Sequence, residues 1–129
     1  DEKLWYNKGY VLFKLGRYQD AITAYDKVLL VNNQSIPALN NKGDTYFQMG
    51  KYQDAVDSYS RANTIEPNDS YSLAGLAKAK SAAATANQTT LLMLVIVLVV
   101  AAGGLMYYLK FLKPDGQKEP EKKSKGKKK

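Results

Sequence analysis

The chain has 129 residues, 45% of them hydrophobic, no cysteine, no histidine and a formal net charge of +7. Without cysteine there are no disulfides, thiol chemistry or thiolate metal sites, and without histidine the commonest general base and transition-metal ligand is missing. The charge is uneven: residues 1–90 hold 10 Lys/Arg and 9 Asp/Glu, a net of +1, whereas residues 91–129 hold 9 Lys and 3 Asp/Glu, a net of +6. A nucleic-acid domain carries its basic patch on the fold, so no specific nucleic-acid partner is expected. The first residue is Asp1 rather than Met, as in a processed chain or a segment of a longer one.

Residues 5–33 return at an offset of 34 as residues 39–67, and ten of those 29 pairs are identical, among them Gly9/Gly43, Phe13/Phe47, Gly16/Gly50, Ala21/Ala55 and Tyr25/Tyr59. A fixed period of this length predicts stacked supersecondary units. Within each unit Trp5, Gly9, Leu12 and Leu15, or Leu39, Gly43, Tyr46 and Met49, recur at helical spacing. Gly16 and Gly50 end that first helix, because glycine takes the left-handed conformation without penalty. A second helix follows, with Ala21, Tyr25 and Val28 inward, matched by Ala55, Tyr59 and Ala62. Asp20 and Asp54 fall in its first turn, where negative charge suits the helix dipole. Pro67 stops the second unit, and Asn32 and Asn33 do the same with less force in the first. Ser35 is the expected cap of the next helix, with Pro37 tolerated in its first turn. Gly9 and Ala21 are expected to let two helices approach, with Tyr25 filling the gap to the next hairpin.

This pattern resembles the tetratricopeptide repeat (TPR) family. The residues that carry the likeness are Trp5, Gly9, Gly16, Tyr18, Ala21, Tyr25 and Val28, then Leu39, Gly43, Tyr46, Gly50, Tyr52, Ala55, Tyr59, Ala62 and Pro67. The wording is similar to archaeal arrays of the family. The resemblance implies an all-α fold, two helix-turn-helix hairpins (about 2–35 and 36–69) in a short right-handed α-solenoid, forming a domain over 1–86. Residues 70–86 begin a third unit whose second helix never comes. Leu73 aligns with Leu39, and Ala77 with Gly43. A capping helix over Tyr59 and Ala62 is expected there, since solenoids need their ends covered.

After a linker at 87–90, Leu91–Leu109 is an uncharged run of 19 residues. As a helix it spans roughly 28 Å, close to the hydrocarbon core of a bilayer, so one transmembrane helix is expected. Tyr107 and Tyr108 fall where an interfacial aromatic belt falls, and Lys110 and Lys113 follow. Residues 110–129 are a Lys-rich tail with the composition of a disordered segment, suited to anionic lipid. The positive-inside rule places this tail in the cytoplasm and the repeats outside, in a single-pass protein of the cell membrane. Three N-x-[ST] sequons, at Asn33, Asn68 and Asn87, precede the span at expected turns or linkers, and suit glycosylation of an exported domain.

No catalytic residues, metal site or cofactor are expected, because no His, Cys, phosphate-binding loop or ligand cluster is present. Asp54 and Asp57 read better as a solvated helix face than as paired acid and base. The resemblance implies instead a groove lined by the first helices, holding a protein or peptide partner. On this chain that face is Tyr6, Tyr10, Phe13 and Lys14, then Asn40, Asn41, Asp44, Phe47 and Gln48, with Lys78 from the third helix. Amides hold a peptide backbone, and aromatics supply buried area at low entropy cost. Phe13 and Phe47 are equally readable as core. Some members of the family grip acidic chaperone tails with Lys, Asn and Arg. Only Asn41 matches that clamp, Tyr6 and Tyr10 replacing its Lys and Asn and the third helix offering Ala74 and Gly75 where a base belongs, so that activity is not supported. The other reading is a structural subunit whose repeats stack into a homo-oligomer through Leu4 and Val11.

Overall fold

The structure, a computed structural model, describes residues 1–112. It contains α1 (Glu2–Lys14), α2 (Tyr18–Val31), α3 (Ile36–Gln48), α4 (Tyr52–Ile65) and α5 (Ser70–Tyr107), the last followed by a π-helical stretch, Tyr108–Leu112. The described residues fall into two compact units, Asp1–Thr90 and a second beginning at Leu91. The expected all-helical repeat architecture is what forms.

The hairpin turns follow from glycine. Gly16 and Gly50 adopt φ of 74° and 72°. That conformation lets Arg17 N donate to Leu12 O and Lys51 N to Tyr46 O, each at 2.9 Å, while the glycine amides donate to Phe13 O and Phe47 O at 3.0 Å. Carbonyls left over at the ends of α1 and α3 are thereby satisfied. The exits of α2 and α4 are extended, at Asn32 (φ −138°) and Glu66 (φ −132°). Pro67 enforces this at Glu66 by steric conflict. Asn32 achieves the same shape with its side chain, whose carbonyl accepts from Gln34 N at 3.2 Å.

Positions 1, 35 and 69 begin α1, α3 and α5 by the same period. Asp1 accepts from Lys3 N at 3.0 Å, and Asp69 from Ser72 N at 2.9 Å. Ser35 is the N-cap of α3, but its side chain makes no capping bond, contrary to expectation. It is buried, and Pro37 at the start of that helix removes one amide that a cap would serve.

Leu12, Ala21, Ala24, Tyr25, Val28 and Ala38 form one buried cluster, and Ala55, Val56, Tyr59 and Ala79 a second. Glycine makes room for tyrosine in both. A Cβ on Gly9 would lie 2.6 Å from the Tyr25 ring, and one on Gly43 2.8 Å from Tyr59. The atoms nearest to Gly9 are those of the Tyr25 ring. Gly75 of α5 also presses on Tyr59, where a Cβ would lie 2.4 Å from the ring, so two glycines make room for that ring. Leu15 is 67% exposed and lies outside the core despite its spacing. Leu73 and Ala77 are exposed as well, because they point to where the second helix of a third unit would stand. The residues of α5 that turn inward are Ser72, Gly75, Leu76 and Ala79.

Residues 87–90, expected as a linker, are helical, within α5. No glycine or proline interrupts residues 76–102, and Thr89 and Thr90 return their hydroxyls to Ala86 O at 2.9 Å. The helix also passes the expected end at Leu109 and runs to Leu112, there being no proline before Pro114. Every residue from Leu91 to Leu112 is exposed. An 18-residue window of this helix has a mean hydropathy of 2.5, long and apolar enough to cross a membrane. The Lys-rich tail lies outside the described residues from Lys113 onward.

Candidate interaction groove

In α3, Asp44, Phe47 and Gln48 lie at spacings of three and four, so all three share one helix face. Phe13 of α1, Tyr59 of α4, and Tyr71, Ala74, Gly75 and Lys78 of α5 close around them. Together they line an open cavity of about 400 Å³. Each phenylalanine is propped by the tyrosine that starts the next helix. The Phe13–Tyr18 ring centroids lie 5.8 Å apart, and those of Phe47–Tyr52 5.1 Å. Both phenylalanines are half-buried, so each serves core and groove together.

The cavity is organised by one carboxylate. Tyr59 donates its hydroxyl to Asp44 Oδ1, and Tyr71 donates to Oδ2 at 2.5 Å. The bond to Asp44, with burial second, pushes the Tyr71 phenol up to about 12. Burial, then the same carboxylate, raises Tyr59 well above the ordinary phenol range. Both hydroxyls therefore stay protonated donors at neutral pH. The Lys78 ammonium sits over the Phe47 ring, 4.4 Å from its centroid.

Five of the ten expected groove residues, Phe13, Asp44, Phe47, Gln48 and Lys78, meet in this cavity. Two more are joined beside it, Asn41 Nδ2 donating to Tyr6 Oη at 2.9 Å. Lys14 lies over the Tyr10 ring at 5.3 Å, and Tyr10 is exposed. Asn40 is a correction. It is buried, donates to Asp69 at 3.1 Å and accepts from the Ser72 hydroxyl at 2.9 Å. Its amide fastens α3 to the start of α5 and is not offered to a partner. The Ser72 hydroxyl and amide, with Asn40, hold the Asp69 carboxyl below the usual carboxylate range.

Tyr59 and Tyr71 were not expected in the site, and Ala74 and Gly75 only as the positions where a clamp base is missing. Lys78 marks the face, and counting back by four and seven from it reaches Ala74 and Tyr71. Tyr71 has no aromatic counterpart one period earlier, where Pro37 stands, so the repeat gave no warning of it. In the first hairpin the counterpart of Asp44 is Tyr10, and the buried Tyr25 hydroxyl is left without a hydrogen-bond partner. Asn33 and Asn68 sit exposed in turns, whereas Asn87 is exposed within helix α5. Among the described residues no three His, Cys, Asp or Glu side chains are grouped as metal ligands.

A family model for the tetratricopeptide repeat matches residues 2–35 and 36–69. Among solved structures, the first TPR of Spaghetti (RPAP3), bound to the HSP90 peptide SRMEEVD, is similar at 24% identity. It covers 65% of this chain and 67% of that one, with a TM-score of 0.62. The Arabidopsis OM64 TPR domain is similar at 16% identity, covering 63% and 67%, with a TM-score of 0.60. None of the curated proteins matches the chain. At these identities the two structures speak for the fold.

Proposed function

From the premise that the chain belongs to the tetratricopeptide repeat family, we propose that it is a non-enzymatic adaptor, holding a protein or peptide partner in the groove around Asp44 and tethered to a membrane by residues 91–109. The carrying observation is the convergence of Phe13, Asp44, Phe47, Gln48 and Lys78 on one open cavity. Aromatic walls with a few convergent polar groups are what a recognition pocket requires. The solved relative that holds a peptide is an instance of such use in this fold. The fully exposed apolar stretch from Leu91 supports the tether. The Lys-rich tail supports a cytoplasmic C-terminus with affinity for anionic lipid, and hence repeats outside the cytoplasm. Asn33 and Asn68, exposed in turns, are the sequons best placed for glycans in that orientation.

The absence of native cysteine makes a single-cysteine test direct. Gln48→Cys, Thr23→Cys at an exposed position of α2, and Gly116→Cys in the tail are each probed with a membrane-impermeant maleimide in intact cells. Thr23→Cys labels from outside and Gly116→Cys does not. Gln48→Cys is protected in cells yet reacts once the protein is purified. Labelling of Gly116→Cys alone in intact cells contradicts the orientation. Equal reactivity of Gln48→Cys in cells and after purification contradicts an occupied groove.

A second reading, stacking of repeats in an assembly, is favoured by one observation. Leu4 and Val11 are 64% and 54% exposed, while their counterparts Ala38 and Thr45 in α3 are fully buried. Concentration-dependent oligomers at neutral pH, abolished by Leu4→Glu with Val11→Glu, would support it. A monomer at all concentrations would exclude it.

A further inference from the structure

We propose that the groove cavity is a socket for a basic side chain, the guanidinium or ammonium group of an Arg or Lys on the partner. This rests on the reading of the groove as a partner site and names the chemistry of what enters it. Asp44 is the one carboxylate lining the cavity. Each of its oxygens accepts a single phenol hydroxyl, one from Tyr59 and one from Tyr71. A carboxylate has about four acceptor positions, so two are left for an incoming donor. The two phenols remain protonated, so they hold the carboxylate in place and add no charge of their own. Asp44 therefore presents a fixed, oriented anion rather than a mobile surface acid.

Around that anion stand the rings of Phe13 and Phe47, whose faces attract cations through their quadrupole. The chain displays this preference itself. The Lys78 ammonium lies 4.4 Å from the Phe47 centroid, at the cavity it helps to line. Lys78 is exposed and has no carboxylate partner among the described ion pairs, so it is a stand-in that an incoming cation can displace. An Arg side chain satisfies what Lys78 leaves unmet, since its planar fork stacks on a ring while donating to a carboxylate. The volume of about 400 Å³ is ample for one such side chain with adjoining backbone.

The test uses the full chain in a neutral-detergent micelle with fluorophenylalanine at its three phenylalanines, Phe13, Phe47 and Phe111. The first two line the cavity or its wall, and Phe111 is the internal control. The probes are acetyl-Gly-Arg-Gly-amide and its Gln and Glu analogues. The Arg peptide is expected to shift the Phe13 and Phe47 fluorine signals saturably, leaving Phe111 unmoved. Asp44→Asn is expected to weaken that binding about tenfold, as loss of a charged hydrogen-bond partner does. Lys78→Ala, which removes the competing cation, is expected to strengthen it about threefold, the scale of an exposed charge contact. Gln48→Glu adds a carboxylate at an exposed position, and strengthens Arg binding even if Asp44→Asn fails to fold. The inference is overturned if the Gln peptide binds as well as the Arg peptide, if the Glu peptide binds in its place, or if Lys78→Ala weakens binding. It is also overturned if no peptide moves Phe13 or Phe47. In that case protection of Gln48→Cys in cells would still stand for the groove, so failure of the socket and failure of the groove are told apart.

Discussion

The two hairpins share their small residues, their glycine turns and their central tyrosine, yet their polar groups meet different fates. Tyr59 packs on both Gly43 and Gly75 and gives its hydroxyl to Asp44. Tyr25 packs on Gly9, is fully buried, and leaves its hydroxyl without a partner. Positions that are the same in both units, such as Gly9/Gly43 and Ala21/Ala55, build the stack. Positions that differ, such as Tyr10/Asp44, Lys14/Gln48 and Pro37/Tyr71, create the cavity. The copied positions build the stack and also supply the aromatic walls of the cavity, Phe13, Phe47 and Tyr59, whereas the varied positions supply its charged groups, Asp44 and Lys78.

Removing residues 70–86 has the largest expected effect on this comparison. The second hairpin then loses Gly75 against Tyr59, Tyr71 on Asp44 and the Asn40–Asp69–Ser72 network together, and becomes as open as the face of α1. Cooperative unfolding followed by circular dichroism disappears. An unchanged cooperative melt would mean that α5 does not cap the stack.

Next come the glycines. Gly75→Ala forces a methyl into the Tyr59 ring, against which Gly43 also packs. Overpacking of this kind costs about 1–3 kcal/mol, read as a lower urea midpoint. Gly9→Ala costs less, because its methyl would approach the Tyr25 ring to 2.6 Å where that of Gly75→Ala would approach Tyr59 to 2.4 Å.

The tyrosines themselves sharpen the contrast. Tyr59→Phe removes a hydrogen bond to a carboxylate and costs about 1.5–3 kcal/mol, whereas Tyr25→Phe removes a buried hydroxyl that has only the Asn41 amide near it and costs less. Equal losses in the two variants would show that the hairpins are held alike.

The caps give the smallest difference. Asp69→Ala lowers the thermal midpoint at neutral pH and Ser35→Ala hardly moves it, since only Asp69 bonds the amide of its helix. The folded pKa of Asp69 is lowered, so its stabilisation is present above the ordinary carboxylate value and is lost as pH falls through the folded one. Wild type and Asp69→Ala therefore converge in acid.

How much of this was legible in the sequence follows the same division. The hairpins could be read because period, glycine turns and small-residue pairs are each stated twice. Half of the groove could be read because Asp44, Phe47 and Gln48 share one face of a helix by their spacing, and Phe13 is the copy of Phe47 one period earlier. Asn40 was misplaced because its neighbour across the interface, Asp69, is 29 positions away, and nothing local shows that its amide is already used. Tyr71 was missed because it varies from the repeat, and the repeat was what made the rest readable. The linker at 87–90 takes helical form for a thermodynamic reason. Polar residues such as Asn87 and Gln88 suit a loop, but Ala-rich neighbours and unbroken backbone bonds let the helix run on.

The most direct test of the account compares its two faces in one experiment. A benzophenone amino acid is placed at Lys14 or Gln48, which differ between the repeats, and at Gln19 or Gln53, which are identical in both. The full chain is then irradiated in its own membranes. The account predicts a discrete partner adduct from Gln48, a weaker one from Lys14, and none from Gln19 or Gln53. Adducts from Gln19 and Gln53 with none from Gln48 would contradict it, and would move the working surface to the second helices of the repeats.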